Sequence, residues 1–444
     1  MKTPICDFVK SYAQQNKIRM HMPGHKGAEY MGCEALDITE VSGADSLYEA
    51  DGIIAQSEAN ASDLFGCPTY YSTEGSSQAI RAMLYLCLAN AKENGRAPLV
   101  VAGRNAHKAF VSAAALLDLN VAWLYPNKTD SYLACTVTPQ ALDKTLSAYA
   151  TPPTAVYITT PDYLGNMVDI KALAEVCHHH NTLLAVDNAH GAYLRFLTPS
   201  QHPMDMGADI CCDSAHKTLP VLTGGAYLHI AKAQQSLAAQ AKNALALFGS
   251  TSPSYLILQS LDMANKILSE GYNQRLMDKV AEVDSLKAAL QKGGYTLIGS
   301  ESMKISISAK PYGYEGTALA ALLAKEGIEW EFADSGYLVL MPSADSTSAE
   351  LSKLQAALLS IPKQAPIAAA APAFVIPTKA LSIREAALSP SEALPLEKCL
   401  GRVLAQTSVA CPPAVPILVS GEVIDQSAID LFNYYKITTL TVVK

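Results

Sequence analysis

The chain has 444 residues, of which 50% are hydrophobic and 17% are charged, and its formal net charge is −8. This length is enough for about two or three domains, and an acidic balance without blocks of like charge excludes a basic nucleic-acid-binding face. No apolar run is long enough to span a bilayer, which excludes a membrane-spanning protein. The first ten residues lack the apolar run of a signal peptide, so we expect a cytoplasmic protein.

The ten cysteines are scattered and form neither a CxxC pair nor another metal-ligand spacing. We therefore expect free, mostly buried thiols in a reducing compartment, and no bound metal. The run His178-His179-His180 does not change this expectation, because consecutive residues on a helix point in different directions and chelate poorly.

The N-terminal stretch to about Gly66 shows no sustained periodicity and is predicted to be irregular. From Ser57 onward, helical and strand patterns alternate. Helices are predicted at about 57–65, 76–92, 107–119, 138–149 and 169–180, and strands at about 98–103, 121–125, 154–160, 182–187, 208–213 and 225–230. Strands such as Leu183-Leu184-Ala185-Val186 are apolar throughout, as in a parallel sheet covered by helices on both faces. This pattern predicts an α/β fold.

A different organisation follows from about residue 253. One long helix is predicted over 253–291, and a smaller α+β domain has strands at 303–308, 328–332 and 337–341 and helices at 316–326 and 347–360. A linker rich in proline and alanine separates this domain from a tail with a short helix at 382–387. The predicted segments are an N-terminal interface arm (1–66), a large domain (67–252), a linking helix with the small domain (253–362), the linker (363–379) and a C-terminal subdomain (380–444).

Two residues at neighbouring strand ends are candidate catalytic residues. Asp187 ends one predicted strand and Lys217 follows the next, and ligands of open α/β sheets bind at the carboxyl ends of strands. A lysine amine forms a Schiff base with the aldehyde of pyridoxal phosphate (PLP), while an aspartate keeps the pyridine nitrogen protonated. Either residue alone is better explained as a surface lysine or a turn-capping aspartate, so the rest of the chain must decide.

Gly75-Ser76-Ser77 opens the helix predicted at 76–92. Exposed N–H groups, two hydroxyls and the positive end of a helix dipole form an anion site. An ordinary serine cap explains the turn equally simply. It gains weight as a phosphate site because a PLP enzyme needs one, and Ser214 and His216 are further candidates to hold that phosphate.

Two histidines could serve the same pocket. His107 follows a strand end and begins a helix, where its imidazole could stack on a pyridine ring, although a lone histidine there is more often structural. His190, three residues after Asp187, could orient or relay protons. For His190 and His216, a buried structural role is the alternative.

A set of motifs extends across almost the whole chain and resembles the Orn/Lys/Arg decarboxylase family, whose members are fold-type-I PLP enzymes related in fold to aspartate aminotransferase. The motifs are MPGHKG (22–27), TEVSGADSLYEADG (39–52), RNAHK (104–108), ITTPDYLG (158–165), VDNAHGAY (186–193), DSAHKTLP (213–220), TSPSYLILQSLD (251–262), LSIREA (381–386), PLEKCLGRV (395–403) and PPAVPILVSGE (412–422). Nothing in the chain resembles the N-terminal wing domain of the long members, so it is similar to a short form.

The resemblance implies a role for each matching residue. Lys217 would carry the Schiff base, Asp187 would pair with the pyridine nitrogen, Ala189 would pack on the ring, and His107 would stack on its other face. Gly75, Ser76, Ser77, Ser214 and His216 would surround the phosphate. The resemblance further implies a homodimer whose active site lies at the subunit interface and is closed by the N-terminal segment and the tail.

The chain departs from the family pattern at four places. Asn188 stands where many members have an acidic residue, and Glu74 puts a negative charge before the phosphate turn. Cys411 and Ala414 replace an aromatic residue and a glycine in the tail loop. These departures leave the PLP site in place and bear on the choice of substrate.

The resemblance implies α-decarboxylation of ornithine, lysine or arginine. The distal cation of such a substrate needs an acidic partner, for which Asp45, Glu49 and Glu331 are candidates, although each could be a surface charge. Because the lysine and the aspartate serve every PLP reaction, an aminotransferase or a β/γ-lyase is an alternative. A catalytically silent PLP-binding regulator and an α/β protein without PLP are the others.

Overall fold

A computed structural model describes residues 1–126, 131–368, 371–406 and 413–444. The fold is α/β with a seven-stranded, mostly parallel sheet, which confirms the predicted fold class. The α-helices are α1 (Pro4–Gln14), α2 (Ile53–Phe65), α3 (Gly75–Glu93), α4 (Lys108–Leu117), α5 (Pro139–Leu146), α6 (Ile170–His179), α7 (Ala215–Thr218), α8 (Gln235–Ala246), α9 (Tyr255–Ser269), α10 (Tyr272–Lys292), α11 (Gly316–Lys325), α12 (Ser348–Ser360), α13 (Ile383–Leu388) and α14 (Gln426–Tyr434).

The strands alternate with these helices in the first half of the chain and cluster in the second half. They are β1 (Thr69–Ser72), β2 (Leu99–Gly103), β3 (Asn120–Leu124), β4 (Ala155–Thr159), β5 (Leu183–Asp187), β6 (Ile210–Asp213), β7 (Ala226–Ile230), β8 (Thr296–Ile298), β9 (Ile305–Ser308), β10 (Phe332–Ala333), β11 (Tyr337–Leu340), β12 (Ser391–Pro395), β13 (Leu404–Gln406) and β14 (Thr439–Val443).

The chain forms two compact units, each built from two separate stretches. The first unit combines Met1–Ala97 with Ile170–Arg275, and the second combines Pro98–Asp169 with Leu276–Lys444. The domain boundaries predicted at residues 66, 252, 362 and 379 follow changes in the sequence pattern and not the compactness of the units, and they stay a prediction.

In the first unit the strand order is β1-β7-β6-β5. Strands β5 and β6 run parallel, with Asp187 opposite Cys212, while β7 is antiparallel to both of its neighbours. Helix α3 packs against β5 and β6, and α6 packs against β5. The apolar sequences of β5 and β6 follow from this burial, since β6 is buried at every position. The carboxyl ends of β5 and β6 therefore lie side by side.

In the second unit, β4-β2-β3 form a parallel set. Two antiparallel sheets follow, one with the order β10-β11-β9-β8 and one with the order β12-β14-β13. These confirm the expected smaller C-terminal α+β part. The predicted strand at 328–332 was wrong over 328–331, since β10 covers only Phe332–Ala333.

Two predictions about helices were also wrong. The single helix expected over 253–291 is two helices, α9 and α10, because Gly271 adopts a left-handed backbone conformation at φ +75° between them. The N-terminal stretch is not irregular throughout, since it contains α1. The Asp262 carboxylate accepts the N–H groups of Ile5 and Cys6 at 3.0 Å, and this distant cap at the start of α1 has no local signal in the sequence.

Among the described residues, no helix combines the length and the apolar character needed to cross a membrane. Every cysteine in the same part of the chain is a free thiol.

Candidate active site

Lys217 lies just beyond the carboxyl end of β6, in the short helix α7. Its Nζ is 3.1 Å from Nε2 of His190, which follows the end of β5. A protonated Lys217 donates to a lone pair on this Nε2, and a neutral amine can accept from it, so the contact offers a path for a proton between the two groups. The structure thus brings together two residues that the sequence placed 27 positions apart.

Asp187 ends β5 and is almost completely buried, with 1% of its surface exposed. Its Oδ1 accepts the N–H of Ala189 at 3.2 Å, and the thiol of Cys212 donates to the same oxygen over 3.7 Å. Burial raises the pKa of the Cys212 thiol well above its usual range, so this thiol stays protonated and donates. The carboxylate is therefore held at the strand end by donors from its own turn and from β6.

The start of α3 gathers the predicted phosphate-binding residues. Gly75 has φ +72°, and its N–H donates to the Gly224 carbonyl at 2.7 Å. A side chain added at Gly75 would meet no atom within 4 Å, so the turn opens onto empty space. The hydroxyl of Ser214 donates to that of Ser76 at 2.6 Å. Serine hydroxyls from two elements thus meet at the positive end of a 19-residue helix, where Ser77 also lies in the first turn.

Glu74 does not place its charge in this turn. The Glu74 side chain makes no capping hydrogen bond to the first turn of α3, and its carboxylate instead accepts the backbone N–H of Ser250. This contact accounts for one departure from the family pattern.

His216 lies beside Lys217 and is bound through Nδ1 to the Gly225 carbonyl at 3.0 Å. A carbonyl only accepts, so Nδ1 carries the proton and Nε2 has the lone pair when the ring is neutral. Burial lowers the pKa of His216, the Gly225 carbonyl opposes this shift, and the charge of Lys217 adds to it. His216 is therefore the neutral imidazole at pH 7.

A buried network of Asp213, His202 and His229 was missed in the sequence analysis. Asp213, fully buried at the end of β6, accepts Nε2–H groups of His202 at 3.0 Å and His229 at 3.1 Å through Oδ2. Burial alone would raise the pKa of Asp213, but the two histidines hold it well below its usual range. A histidine inside a buried strand, as His229 is in β7, is the sequence signal that could have revealed this network.

Asn188 joins this network to Asp187. Its amide Nδ2 donates to Asp213 Oδ1 at 2.7 Å, and an acid at this position would instead face a second buried carboxylate. The departure from the family pattern at Asn188 thus has a physical reason in Asp213.

The ligand atoms of His202, Cys211 and Asp213 lie within 4.8 Å of one another. Burial raises the pKa of the Cys211 thiol well above its usual range, which makes the protonated thiol a poor metal ligand. We still expect no metal at this site.

His107 lies in the second unit, where it caps α4 by accepting the N–H of Ala109 through Nδ1 at 3.1 Å. Since Nδ1 accepts, Nε2 carries the proton of the neutral ring. Its predicted stacking on the pyridine ring stays a prediction.

The three acidic residues proposed for the substrate have different surroundings. The buried carboxylate of Asp45 accepts backbone N–H groups of Ser46, Asp51, Gly52, Ile54 and Ala55, at 2.9 to 3.4 Å. It therefore caps the start of α2, whereas Glu49 is exposed. Any contact of these residues with a substrate stays a prediction.

Glu331, in the second unit, lines a cavity of about 330 Å³. Its Oε1 accepts the hydroxyl hydrogen of Tyr163 at 2.6 Å. Its walls are aromatic and aliphatic, with one further acid and one lysine, and the aromatic and charged side chains besides Glu331 are Tyr132, Trp330, Phe332, Asp334, Tyr434, Tyr435 and Lys436. Asp334 keeps one buried carboxylate oxygen without a hydrogen-bond partner among the described residues. An acidic cavity with aromatic walls suits an organic cation.

In the tail loop, the structure describes Ala414, which stands where the family pattern has a glycine. Ala414 adopts φ +57°, a left-handed conformation that favours glycine, and its carbonyl accepts the N–H of Lys108 at 2.9 Å. Cys411 lies outside the described residues.

The residues of the first unit fit pyridoxal phosphate. A lysine amine, a buried carboxylate at the neighbouring strand end and a hydroxyl-lined helix start are the three groups that its aldehyde, ring nitrogen and phosphate require. The hydroxyl of Thr218, next to Lys217, is buried without a partner in the described chain, and so has a hydrogen bond to offer.

Comparison with known proteins gives a consistent result. Residues 3–311 match the family described as "Orn/Lys/Arg decarboxylase, major domain", and residues 368–441 match its C-terminal domain. An arginine decarboxylase from Halalkalibacterium halodurans is 29% identical, covering 96% of this chain and 92% of its own. One from Bacillus anthracis is 26% identical, with corresponding shares of 97% and 92%.

Two solved structures share the fold. A lysine decarboxylase from Francisella novicida aligns with a TM-score of 0.80 at 15% identity, covering 100% of this chain and 81% of that one. The constitutive lysine decarboxylase of E. coli gives a TM-score of 0.78 at 17% identity, with shares of 100% and 82%. At these identities the comparison shows the fold alone.

Proposed function

This chain belongs to the Orn/Lys/Arg decarboxylase family of PLP-dependent enzymes that act on basic amino acids, and from this premise we propose that it binds PLP at Lys217 and decarboxylates arginine. The observation that carries the site is the Lys217–His190 contact at the ends of two parallel strands, one of which ends in the buried Asp187. The relatives named arginine decarboxylase support the choice of substrate.

In the proposed site, the chain's own residues hold and orient the cofactor. Lys217 would bind it covalently through Nζ, and the carboxylate of Asp187 would hold a proton on the ring nitrogen. Ser76 and Ser77 would donate hydroxyl hydrogens to the phosphate, Ser214 would lie beside it with its own hydrogen donated to Ser76 Oγ, and the first-turn N–H groups of α3 would add their dipoles. When bound, PLP supplies the conjugated ring that accepts the electron pair left by departing CO2.

His190 is proposed to exchange a proton with Lys217. Its Nε2 accepts from Nζ at 3.1 Å, so the imidazole can take a proton while the amine reacts and return it afterwards. His216 would gain a proton at Nε2 to face the phosphate, and His107 would cover the ring. Ala189 would pack on the opposite ring face.

The distal guanidinium of arginine needs a carboxylate and tolerates aromatic faces. Glu331 and Asp334, with the aromatic walls of the 330 Å³ cavity, offer this combination in the second unit. The carboxylate of Asp45 already accepts five backbone N–H groups. We therefore propose Glu331, and not Asp45, as the partner of the substrate cation. We further propose a homodimer whose partner subunit completes the site.

Chemical trapping tests the cofactor assignment directly. The purified protein with PLP is treated with sodium borohydride, digested and analysed by mass spectrometry. The expected result is a pyridoxyl group on the peptide that contains Lys217. Labelling of a different lysine, or no visible absorbance from bound PLP, would refute the proposed site.

A further inference from the structure

Asn188 and Asp213 form a buried pair of one amide and one acid. Both residues have no exposed surface, and Asn188 Nδ2 donates to Asp213 Oδ1 at 2.7 Å. The backbone N–H of Asn188 also donates to the Cys212 carbonyl at 2.9 Å. The residue that follows Asp187 is thus fixed to β6 at two points, one through its main chain and one through its side chain.

The hydrogen-bond donors around Asp213 determine which member of the pair is the acid. His202 Nδ1 accepts the Met204 N–H at 3.3 Å, so its Nε2 carries a proton and donates to Asp213. The His229 Nε2 contacts the same oxygen, and the thiol of Cys211 donates to Oδ1 over 3.8 Å. With these donors pointing at residue 213, it must accept, and residue 188 must donate.

We propose that the Asn188–Asp213 pair is a positioning device for Asp187 and works only when it contains one acid and one amide. The inference rests on the proposed function, in which the Asp187 carboxylate holds the proton on the ring nitrogen. Because both side chains are fully buried, neither is proposed to contact the cofactor. Each acts by fixing the backbone that carries Asp187 and by keeping one negative charge, instead of two or none, beside it.

The test exchanges the two residues. Asn188→Asp puts a second carboxylate 2.7 Å from the first, and Asp213→Asn leaves two amides facing each other under two imidazole donors. Each single variant should weaken PLP binding and lower kcat at least about tenfold, with KM for arginine unchanged. In the double variant, the amide of residue 213 can accept from the histidines and donate to the new acid, so most of both losses should be recovered.

A matched control comes from the other end of β6. Gln234 Nε2 donates to Asp209 Oδ1 at 2.7 Å, just before the strand begins. Gln234→Glu makes the same chemical change there, and should lower the melting temperature while leaving PLP affinity and kcat within about twofold.

The outcomes separate this inference from the proposed function. A double variant no better than the worse single variant overturns the inference, as do single variants that lose only melting temperature. If the wild-type protein binds no PLP or releases no CO2, the proposed function fails instead. The melting temperatures of the cofactor-free proteins then still test the pairing, because the double variant should regain what each single variant lost. If Asp213→Asn does not fold, Asn188→Asp is compared with the double variant instead. The double variant should then regain the PLP affinity and kcat that Asn188→Asp lost.

Discussion

Nζ of Lys217 and Nε2 of His190 lie 3.1 Å apart, although the two residues follow the ends of different strands. The contact gives the imidazole access to the amine that would carry PLP. When Lys217 is protonated, it donates to the lone pair of His190 Nε2, and the proton can pass along this contact. In the proposed reaction, His190 takes and returns a proton at this atom.

Replacing His190 by Gln should separate hydrogen bonding from proton transfer. A glutamine oxygen can still accept from Lys217 but cannot take up its proton. We expect kcat to fall about a hundredfold, with a changed pH dependence and unaltered PLP absorbance. Steady-state assays between pH 6 and 9 measure this, and an unchanged pH profile would assign His190 a structural role only.

The charge of Asp187 is the second feature open to test. Asp187→Asn keeps an oxygen that can accept the Ala189 N–H but removes the negative charge beside the ring nitrogen. The expected loss in kcat is about 10²–10³-fold, while PLP remains bound. Asp205→Asn, at an ion pair with Arg195 outside the site, is the matched control and should leave kcat within about twofold. Equal losses in the two variants would argue against a role for the Asp187 charge.

A pH dependence follows from His216. Burial holds its pKa below the ordinary value, so the ring is neutral at pH 7 before ligand binding. A phosphate dianion at Nε2 favours the protonated ring, so binding takes up a proton and affinity should fall as pH rises from 6 to 8, by up to about tenfold per unit. Pyridoxine 5′-phosphate, which has no aldehyde for Lys217, isolates this effect. His216→Gln should lose the histidine part of the slope, and identical slopes in both proteins would remove His216 from the phosphate site.

The cavity around Glu331 leads to a prediction about substrate binding. Glu331→Gln keeps the shape of the side chain and an acceptor for the Tyr163 hydroxyl, but loses the charge that would face a guanidinium. KM for arginine should rise about tenfold with PLP absorbance unchanged. Asp45→Asn should instead lower the free energy of unfolding by about 1–3 kcal/mol, since an amide nitrogen cannot accept the N–H groups at the start of α2. An increase in KM for Asp45→Asn without loss of stability would reverse the two assignments.

The strand ends of the first unit were predictable because local sequence determines them. The apolar run before Asp187 and the polar residues from Ser214 to Lys217 have the pattern of a buried parallel strand followed by a ligand-binding turn. The Gly75 turn was equally visible, since a glycine and two serines before a long amphipathic pattern indicate a helix start.

Features that depend on distant partners were not predictable. The donors to Asp213 come from His202 and from His229 in β7, and the cap of α1 comes from Asp262 in α9. Such contacts appear only when the sheet brings the strands together. The break between α9 and α10 was missed for another reason, since one glycine in a long helical pattern is often tolerated.

The most direct test of the central claim is a decarboxylation assay with PLP and separate samples of arginine, lysine and ornithine. The amine product and the released CO2 are both measured, with Lys217→Ala as the control. The proposed arginine decarboxylase activity predicts equal amounts of CO2 and amine, the highest kcat/KM for arginine, and a loss of at least about a thousandfold in the lysine variant. A keto acid formed without CO2, or a Lys217→Ala variant as active as the wild type, would contradict it.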